Sequence, residues 1–348
     1  MAESDVGPVL VTGASGFIAK HCIVQLLETG LEVRATLRSP GAASSVVDAV
    51  ARGLGGKREV AERVSFVEAD LNRDDGWVEA AEGCSYVLHL ASPFPLVDPR
   101  NRDELIAPAR DGALRVLKAA RNAGVRRVVL TSSMAAVCYG AGDPPDRAMT
   151  EDDWTDPDRP GLTAYLASKT IAERAAWDWL AAEGGGLELA VINPGLVLGP
   201  ALDRDLSSSL DVIRIYAAGE YPAIPRVSYP ISDVRDVARM HIVAMSHPQA
   251  AGKRWNCAEG TLAVSELLKI VGEALPDTKR KLPTIQAPDF VIRGLALFDR
   301  SARSLLPDLG RRNRLDNARA RAELGMTFHS PREAVEAAAH SLRDLNVI

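Results

Sequence analysis

A tyrosine and a lysine lie four residues apart in the segment Tyr165-Leu166-Ala167-Ser168-Lys169. Positions four apart share one face of a helix, so the phenol and the ammonium would be neighbours. A nearby cation favours the phenolate and lowers the pKa of a tyrosine from about 10 towards the working pH. This chemistry suits a group that gives a proton to a carbonyl oxygen or takes one from an alcohol. No other tyrosine of the sequence has a lysine four positions further on.

A glycine-rich turn, Thr12-Gly13-Ala14-Ser15-Gly16-Phe17-Ile18-Ala19, stands near the start of the chain. The apolar run before it predicts a buried strand, and the apolar spacing after it predicts a helix. Glycines at 13 and 16 allow a tight turn in which backbone N–H groups approach a pyrophosphate at the positive end of the helix dipole. The alternative is a plain turn, but its place on the first strand–helix unit favours a dinucleotide site.

The second predicted strand ends in Val33-Arg34-Ala35-Thr36-Leu37-Arg38-Ser39 and carries no acid. An acid here binds the ribose 2′-hydroxyl of NAD, whereas an arginine accommodates the 2′-phosphate of NADP. Strand alternation puts Arg34 and Arg38 on one face, with Arg38 nearer the carboxyl end where cofactors bind. Solvated arginines at a strand end are the alternative interpretation. We expect NADP, as NADPH, to be the preferred cofactor over NAD.

Hydroxyl groups cluster in Leu130-Thr131-Ser132-Ser133-Met134, at the predicted carboxyl end of the fifth strand. Ligands gather at this edge in open α/β sheets. By themselves such hydroxyls more often cap a helix or stabilise a turn. Their position makes them candidates for contact with a substrate.

Short β-branched runs alternate with longer amphipathic stretches through the first half of the chain. This alternation predicts a Rossmann-type α/β fold, a doubly wound parallel sheet with helices on both faces and a smaller C-terminal substrate-binding lobe. The predicted strands cover 9–12, 32–37, 64–67, 86–90, 127–131 and 187–193. The predicted helices cover 17–28, 44–53, 74–82, 103–123, 163–182, 234–246, 265–274 and 332–345.

The later half of the chain is less regular and predicts an interleaved division into two domains. Residues 1–198 are expected to form an NAD(P)-binding core that 228–260 partly completes. Residues 199–348 are expected to form mainly the substrate-binding lobe. Two proline-containing stretches, 199–230 and 277–314, have the composition of substrate-side insertions.

The composition is that of an ordinary globular protein, with 348 residues, 47% hydrophobic and 25% charged. A formal charge of −5 without a long basic run argues against a nucleic-acid partner. The four cysteines stand far apart and the histidines lack zinc-ligand spacing, so we expect reduced buried thiols and no metal site. The start of the sequence lacks a leader pattern, and no apolar run is long enough to span a bilayer. We therefore expect a cytoplasmic protein without a membrane partner.

Taken together and in this order, these segments resemble the extended short-chain dehydrogenase/reductases. The resemblance is strongest to the branch of dihydroflavonol reductases, cinnamoyl-CoA reductases and fungal methylglyoxal or aldehyde reductases, and it covers nearly the whole chain. Four further segments carry it: Glu68-Ala69-Asp70-Leu71, His89-Leu90-Ala91-Ser92-Pro93-Phe94, Asn193-Pro194-Gly195-Leu196-Val197-Leu198-Gly199-Pro200 and Asp316-Asn317-Ala318-Arg319-Ala320.

The resemblance implies a catalytic Ser133, Tyr165 and Lys169 in an NADPH-dependent reductase of aldehydes or ketones, reversible to alcohol oxidation. Tyr165 would be the general acid, Lys169 its pKa partner and a ligand of the nicotinamide ribose, and Ser133 the group that stabilises the developing oxyanion. The cofactor-binding residues that it implies are Gly13, Ser15, Gly16, Phe17, Ile18, Arg38, Asp70, Leu71, Leu90, Ala91, Ser92, Thr131, Tyr165, Lys169, Pro194 and Val197.

Departures from these relatives narrow the substrate. Dihydroflavonol reductases carry an asparagine, thought to bind flavonoid hydroxyls, where this chain has Cys138, so flavonoid specificity is not expected. Many relatives place a basic residue for the 2′-phosphate where this chain has Ser45, which leaves Arg38 to act more alone. We expect an apolar or aromatic carbonyl substrate, with Phe94, Met134 and Cys138 as pocket residues.

Two other enzyme classes use the same serine, tyrosine and lysine, namely hydroxysteroid-type dehydrogenases and sugar-nucleotide epimerases. The apolar pair Ala201-Leu202 after Pro200 disfavours an epimerase, because epimerases place polar residues for a diphosphate there. A catalytically silent NADP-binding redox sensor is the non-enzymatic alternative, and the presence of both Tyr165 and Lys169 argues against it. The expected partner is a small carbonyl or alcohol substrate, and the expected assembly is a monomer or homodimer.

Overall fold

The strands form two sheets in a computed structural model that describes residues 7–93, 99, 101–140 and 147–348. Ten strands lie in this part of the chain: β1 (Val9–Thr12), β2 (Val33–Leu37), β3 (Ser65–Glu68), β4 (Tyr86–His89), β5 (Arg127–Thr131), β6 (Glu188–Pro194), β7 (Leu196–Leu198), β8 (Ser228–Asp233), β9 (Lys253–Cys257) and β10 (Thr261–Ala263). Seven of them form a central sheet in the order β3-β2-β1-β4-β5-β6-β9, and every pairing in it is parallel.

Helices cover both faces of this sheet, as parallel strands require. They are α1 (Phe17–Glu28), α2 (Ala43–Gly53), α3 (Arg58–Ala61), α4 (Trp77–Ala81), α5 (Asp103–Asn122), α6 (Ala164–Glu183), α7 (Ser208–Ala217), α8 (Val234–Ser246), α9 (Val264–Ala274), α10 (Asp289–Leu295), α11 (Arg300–Ser304), α12 (Ala318–Leu324) and α13 (Pro331–Asp344). One core cluster joins α1, α2 and α8 to the sheet, and another joins α4, α5 and α6. The predicted doubly wound fold is confirmed.

The strand order reverses between β1 and β4, which are neighbours although β2 and β3 lie between them in the chain. In open parallel sheets such a point leaves a crevice at the carboxyl ends of the strands, where ligands bind. Every residue of β1 and of β4 is buried. The crevice therefore has rigid walls.

A second sheet, in the order β10-β8-β7, lies on the C-terminal side of the fold. Strands β7 and β8 run parallel, and β8 and β10 run antiparallel. A third core cluster packs this sheet against α7, α9 and α13. The chain then enters the central sheet again at β9, which pairs with β6.

The predicted elements of the first half match the observed ones within a few residues at each end, and β1, β5, α1 and α8 match at both ends. The two stretches described as insertions contain ordered helices, α7 in the first and α10 and α11 in the second. No described helix combines the length and the low charge that crossing a bilayer demands.

Candidate active site

The turn after β1 is held in place by two threonines. The Gly13 amide donates to Thr36 Oγ1 at 3.0 Å, and the amides of Leu90 and Ala91 both donate to Thr12 Oγ1 at 3.0 Å. Gly13 has a φ of +70°, and a Cβ added there would lie 3.1 Å from the Cα of Ala91. Only glycine fits this conformation and this close approach. The turn and the end of β4 are thus fixed against each other.

Helix α1 begins directly after this turn, with Gly16 as its N-cap and no acidic residue in its first turn. The first amides of a helix have no partner within the helix and carry the positive end of its dipole. Ser15, Gly16, Phe17 and Ile18 are all at least partly exposed, and the Gly16 amide donates to the Gly13 oxygen at 2.9 Å, so an anion can approach the start of the helix beside the turn. The geometry is that of a phosphate-binding helix start.

The two arginines of β2 have different surroundings. Arg34 donates to the backbone oxygens of Glu79, Ala80 and Glu82 at the end of α4. Arg38 is exposed just beyond β2, and no described residue forms an ion pair or side-chain hydrogen bond with it. Arg38 is therefore free to meet a phosphate at the carboxyl edge of the sheet, whereas Arg34 is committed to the protein.

The Ser133 and Tyr165 side chains form a hydrogen bond with each other. Ser133 follows β5 and accepts a hydrogen bond from the amide of Ala135 at 3.1 Å. Tyr165 lies in the first turn of α6, which Thr163 caps by accepting from the amide of Leu166. The Lys169 ammonium lies 5.8 Å from the centroid of the Tyr165 ring. The structure thus brings the three predicted catalytic residues together.

Lys169 is a partly buried lysine at the carboxyl edge of the sheet. Its Nζ donates to Ser92 Oγ at 3.0 Å, just beyond β4. Burial lowers the pKa of Lys169 to about 8, and the negative charge of Glu173 works against that fall. Lys169 therefore titrates much closer to neutrality than an exposed lysine, which makes its charge sensitive to its neighbours.

Burial raises the pKa of Tyr165, and the hydrogen bond with Ser133 opposes that rise. The sequence predicts instead that Lys169 lowers the pKa of the phenol. This expectation is wrong for the protein alone, because burial dominates and the ammonium is directed to Ser92. The phenol is thereby kept protonated and available as a proton donor.

Other residues predicted at the site lie at the ends of central strands or, for Val197, in the second sheet. Thr131 Oγ1 lies 2.7 Å from His241 Nε2, and His241 Nδ1 lies 2.7 Å from the oxygen of Val237. Because a carbonyl only accepts, Nδ1 carries the ring proton and Nε2 accepts from Thr131. Pro194 ends β6 and Val197 lies in β7, while Asp70 and Leu71 follow β3.

Two of the three predicted substrate residues lie in the described part of the structure. Met134 and Cys138 are buried in a cluster against which Tyr165 and Tyr229 pack. Phe94 lies outside the described residues. All four cysteines are buried and unpaired, in agreement with the expected thiols.

The sequence analysis missed the polar groups behind the site. Glu173 is completely buried and accepts hydrogen bonds from Ser132 and Asn193. Its position four residues after Lys169 places it on the same helix face, a spacing that could have indicated it. Its ion-pair partner Arg254 lies on β9, and no local pattern points to that contact.

A comparison with protein families decides the relationship that this geometry suggests. The model of the NAD dependent epimerase/dehydratase family matches residues 9–258, from β1 to just beyond β9. The chain belongs to this family. The predicted family, and with it a nicotinamide-dependent enzyme, is confirmed.

Relatives of the chain in the NAD dependent epimerase/dehydratase family include two plant reductases. Cinnamoyl-CoA reductase 1 of Petunia hybrida is 37% identical over 271 residues, which cover 77% of this chain and 78% of that protein. Dihydroflavonol 4-reductase of Hordeum vulgare is 33% identical over 286 residues, covering 79% of this chain and 77% of that protein.

Among solved structures, yeast methylglyoxal/isovaleraldehyde reductase Gre2 complexed with NADPH is similar over nearly its whole length. The TM-score is 0.79 and the identity 27%, with 98% of this chain and 100% of that chain covered. The match therefore includes the C-terminal part of the chain, beyond the segment that the family model matches.

Proposed function

We propose that this protein is an NADPH-dependent reductase of aldehydes or ketones, with an apolar or aromatic carbonyl substrate. The observation that carries the proposal is the hydrogen-bonded pair of Ser133 and Tyr165, with the partly buried Lys169 one helix turn from Tyr165. This group stands at the carboxyl edge of the sheet beside the glycine turn. The relatives' names, which describe reduction of carbonyl compounds, support it.

The residues of the turn and of the strand ends fit NADPH. A pyrophosphate would lie against the turn of Gly13, Ser15, Gly16, Phe17 and Ile18, where the amides of Gly13 and Gly16 hold the turn and those of Ser15, Phe17 and Ile18 would donate to the phosphates. The free guanidinium of Arg38 would meet the 2′-phosphate. The remaining cofactor contacts that we propose are Asp70, Leu71, Leu90, Ala91, Ser92, Thr131, Pro194 and Val197, in addition to Tyr165 and Lys169.

When bound, NADPH supplies the hydride that reduces the carbonyl carbon. Tyr165, kept protonated by its burial, gives its phenolic proton to the carbonyl oxygen as that oxygen gains negative charge. Ser133 donates a hydrogen bond to the same oxygen and stabilises the charge. Lys169 places its positive charge near the phenolate that remains. Its ammonium also donates a hydrogen bond to Ser92. One hydride and one proton convert the carbonyl to the alcohol.

We propose that the cluster packed against Tyr165 forms the substrate-binding side of the site. Met134 and Cys138 supply apolar surface, and Tyr229 of β8 adds an aromatic ring. We also propose that 1–198, with 228–260, form the cofactor-binding domain and that most of 199–348 forms the substrate-binding lobe. Strands β8 and β9 then belong to the cofactor-binding domain, and β10 of the lobe pairs with β8.

Oxidation of NADPH by aromatic aldehydes, diketones and ketosteroids, followed by the absorbance of the reduced nicotinamide, tests this function. The Tyr165→Phe variant should lose turnover by about 100-fold or more, because it lacks the proton donor, and should keep its NADPH affinity. Tyr221→Phe, which changes an exposed tyrosine, is the matched control.

A fully active Tyr165→Phe variant would overturn the assignment. If ketosteroids alone are reduced, the protein is a hydroxysteroid-type dehydrogenase. Product formation from a sugar nucleotide without net change in NADPH absorbance would indicate an epimerase. Tight NADPH binding with no turnover of any compound would favour a redox sensor.

A further inference from the structure

A buried ion pair lies directly behind the proposed catalytic residues. Arg254 of β9 donates through Nε to Glu173 Oε1 at 2.5 Å, and the side chains of Arg254 and Glu173 are 8% and 0% exposed. Buried charges persist only when their partners and hydrogen bonds are nearly complete. The hydrogen bonds of the pair therefore show which parts of the site it keeps in position.

Apart from a hydrogen bond of 3.4 Å that Trp177 Nε1 donates to Oε1, the remaining contacts of the carboxylate lead towards the site. Glu173 Oε2 accepts from Ser132 Oγ at 2.5 Å and from Asn193 Nδ2 at 2.9 Å. The same Asn193 amide donates to the backbone oxygen of Ser133 at 3.2 Å. Ser132 and Ser133 are adjacent, so the carboxylate holds the backbone on which the Ser133 hydroxyl is mounted.

Arg254 is itself fixed on all sides. Its Nη1 donates to the backbone oxygens of Glu151 and Asp153 at 2.7 Å, and its Nη2 donates to that of Ala136 at 3.2 Å. Its guanidinium lies 3.6 Å from the centroid of the Trp154 ring. A guanidinium with this many directed bonds has a single orientation, which it imposes on Glu173.

We propose that Glu173 is a positioning residue for the reduction described above. Held by Arg254, its carboxylate fixes Ser132 and Asn193 behind Ser133 and lies one helix turn from Lys169. This inference rests on the proposed function, because it assigns work to Ser133 and Lys169. Neither Glu173 nor Arg254 contacts the substrate in this scheme.

The charges around Lys169 come from few groups. Tyr165 and Glu173 lie on its own helix, and Ser92 and His89 face it from β4 and the segment after it. Burial, followed by the charge of Lys169, lowers the pKa of His89 to about 3, so this imidazole is neutral at working pH. Helix α5 contributes only alanines, Ala109 and Ala113. Among the described groups, Glu173 is therefore the charged residue that acts on Lys169, and Arg254 is the cation paired with it.

The test compares Glu173→Gln, Arg254→Met and the double variant, in kcat, in KM for NADPH and in the pH profile of kcat/KM. Removing the anion lowers the pKa values of neighbouring groups, and removing the cation raises them. The alkaline limb is the fall of kcat/KM at high pH. Its midpoint should move to lower pH in Glu173→Gln and to higher pH in Arg254→Met, by about 0.5–1 pH unit. In the double variant, which removes both charges, it should return close to its original place.

The loss of orientation should appear in kcat. We expect a fall of about 10-fold or more in Glu173→Gln, with KM for NADPH changed by less than about 2-fold, because Glu173 makes no hydrogen bond or ion pair with a residue of the glycine turn. Arg174→Met is the matched control, since this exposed arginine also faces Trp154 but makes no contact with Glu173. It should leave kcat and the pH profile unchanged.

A merely structural role would give reduced stability without opposite shifts of the alkaline limb. Limbs that move in the same direction in both single variants, or an unchanged kcat in Glu173→Gln, would overturn the proposal. If a single variant does not fold, the double variant still decides, because paired neutral replacements of a buried ion pair usually fold. Its kcat should stay low, and a wild-type kcat would refute the positioning role. An active Tyr165→Phe variant would instead refute the reductase assignment, so the two failures are distinguishable.

Discussion

Replacing Arg38 by glutamine isolates the group that we expect to select NADPH. Arg38 is exposed beyond β2 and has no partner among the described residues, so the substitution breaks no contact within the protein. A hydrogen bond between charged groups contributes about 1.5–3 kcal/mol. Two unit charges 4 Å apart would attract each other by roughly 4 kcal/mol at an effective dielectric constant of 20. We use the lower range because solvent screens an exposed side chain such as Arg38.

This free energy corresponds to a rise of about 10- to 100-fold in the Kd for NADPH, at 1.4 kcal/mol for each factor of ten. The Kd for NADH should change by less than about 2-fold, because NADH lacks the 2′-phosphate. Titration of nicotinamide fluorescence with each cofactor measures both constants. Raising the salt concentration should weaken NADPH binding to the original protein more than to Arg38→Gln.

Arg63→Gln is the matched control, because Arg63 is an equally exposed arginine at the opposite, amino end of β3. It should leave both constants unchanged. An equal loss of NADPH and NADH affinity in Arg38→Gln would show that Arg38 supports the fold of the site. No loss of either would show that another group binds the 2′-phosphate, and both results would refute the reasoning.

Three further predictions concern the turn and two buried titratable groups. Gly13→Ala should abolish detectable NADPH binding while the far-ultraviolet circular dichroism spectrum is retained, because φ is +70° and the new Cβ would lie 3.1 Å from Ala91. Burial lowers the pKa of His241 from 6.5 to about 4, so its neutral form contributes stability above pH 6.5 that is lost as the pH falls through 4. This contribution is about 3 kcal/mol, and urea unfolding of His241→Asn should lack it. Burial raises the pKa of Asp308 from 3.8 to about 6, so ionising this carboxyl in the folded protein costs stability above that pH. Asp308→Asn removes that cost, so its effect on the free energy of unfolding should become more favourable as the pH rises from about 4 to 8. Equal urea midpoint changes for Asp308→Asn at both pH values would contradict this.

The sequence predicts the central sheet well because its strands are short apolar runs bounded by turn residues. A four-residue spacing and a strand end, which can be read locally, indicate Tyr165, Lys169 and the segment of Ser133 as candidates, and the resemblance to a known family implies their catalytic roles. The second sheet escapes prediction because β7 and β10 have three residues each and β8 contains Pro230. A proline inside a strand is typical of an edge or a loop, although here Pro230 pairs with Thr261.

Contacts between distant parts of the chain could not be read from the sequence. Arg254 lies 81 residues beyond Glu173, and Asp308 lies 169 residues beyond its hydrogen-bond donor Tyr139. Neither pair has a periodic or spacing signal, because tertiary packing alone brings its members together. The predicted pKa of Tyr165 failed for the same reason, since burial is a property of the whole fold.

Strand β9 follows β6 by about 60 residues in the chain, yet it completes the central sheet beside β6. During synthesis the site can therefore form only after β9 has been made. Glu173 leaves the ribosome well before Arg254, and only the arrival of β9 supplies the cation that this carboxylate needs. Until then the catalytic helix α6 carries an acid that cannot be buried without cost. Synthesis proceeds at roughly 5–20 residues per second, so this interval lasts several seconds. A nascent chain halted between Glu173 and Lys253 should therefore remain open and accessible to protease, and should close once β9 has emerged.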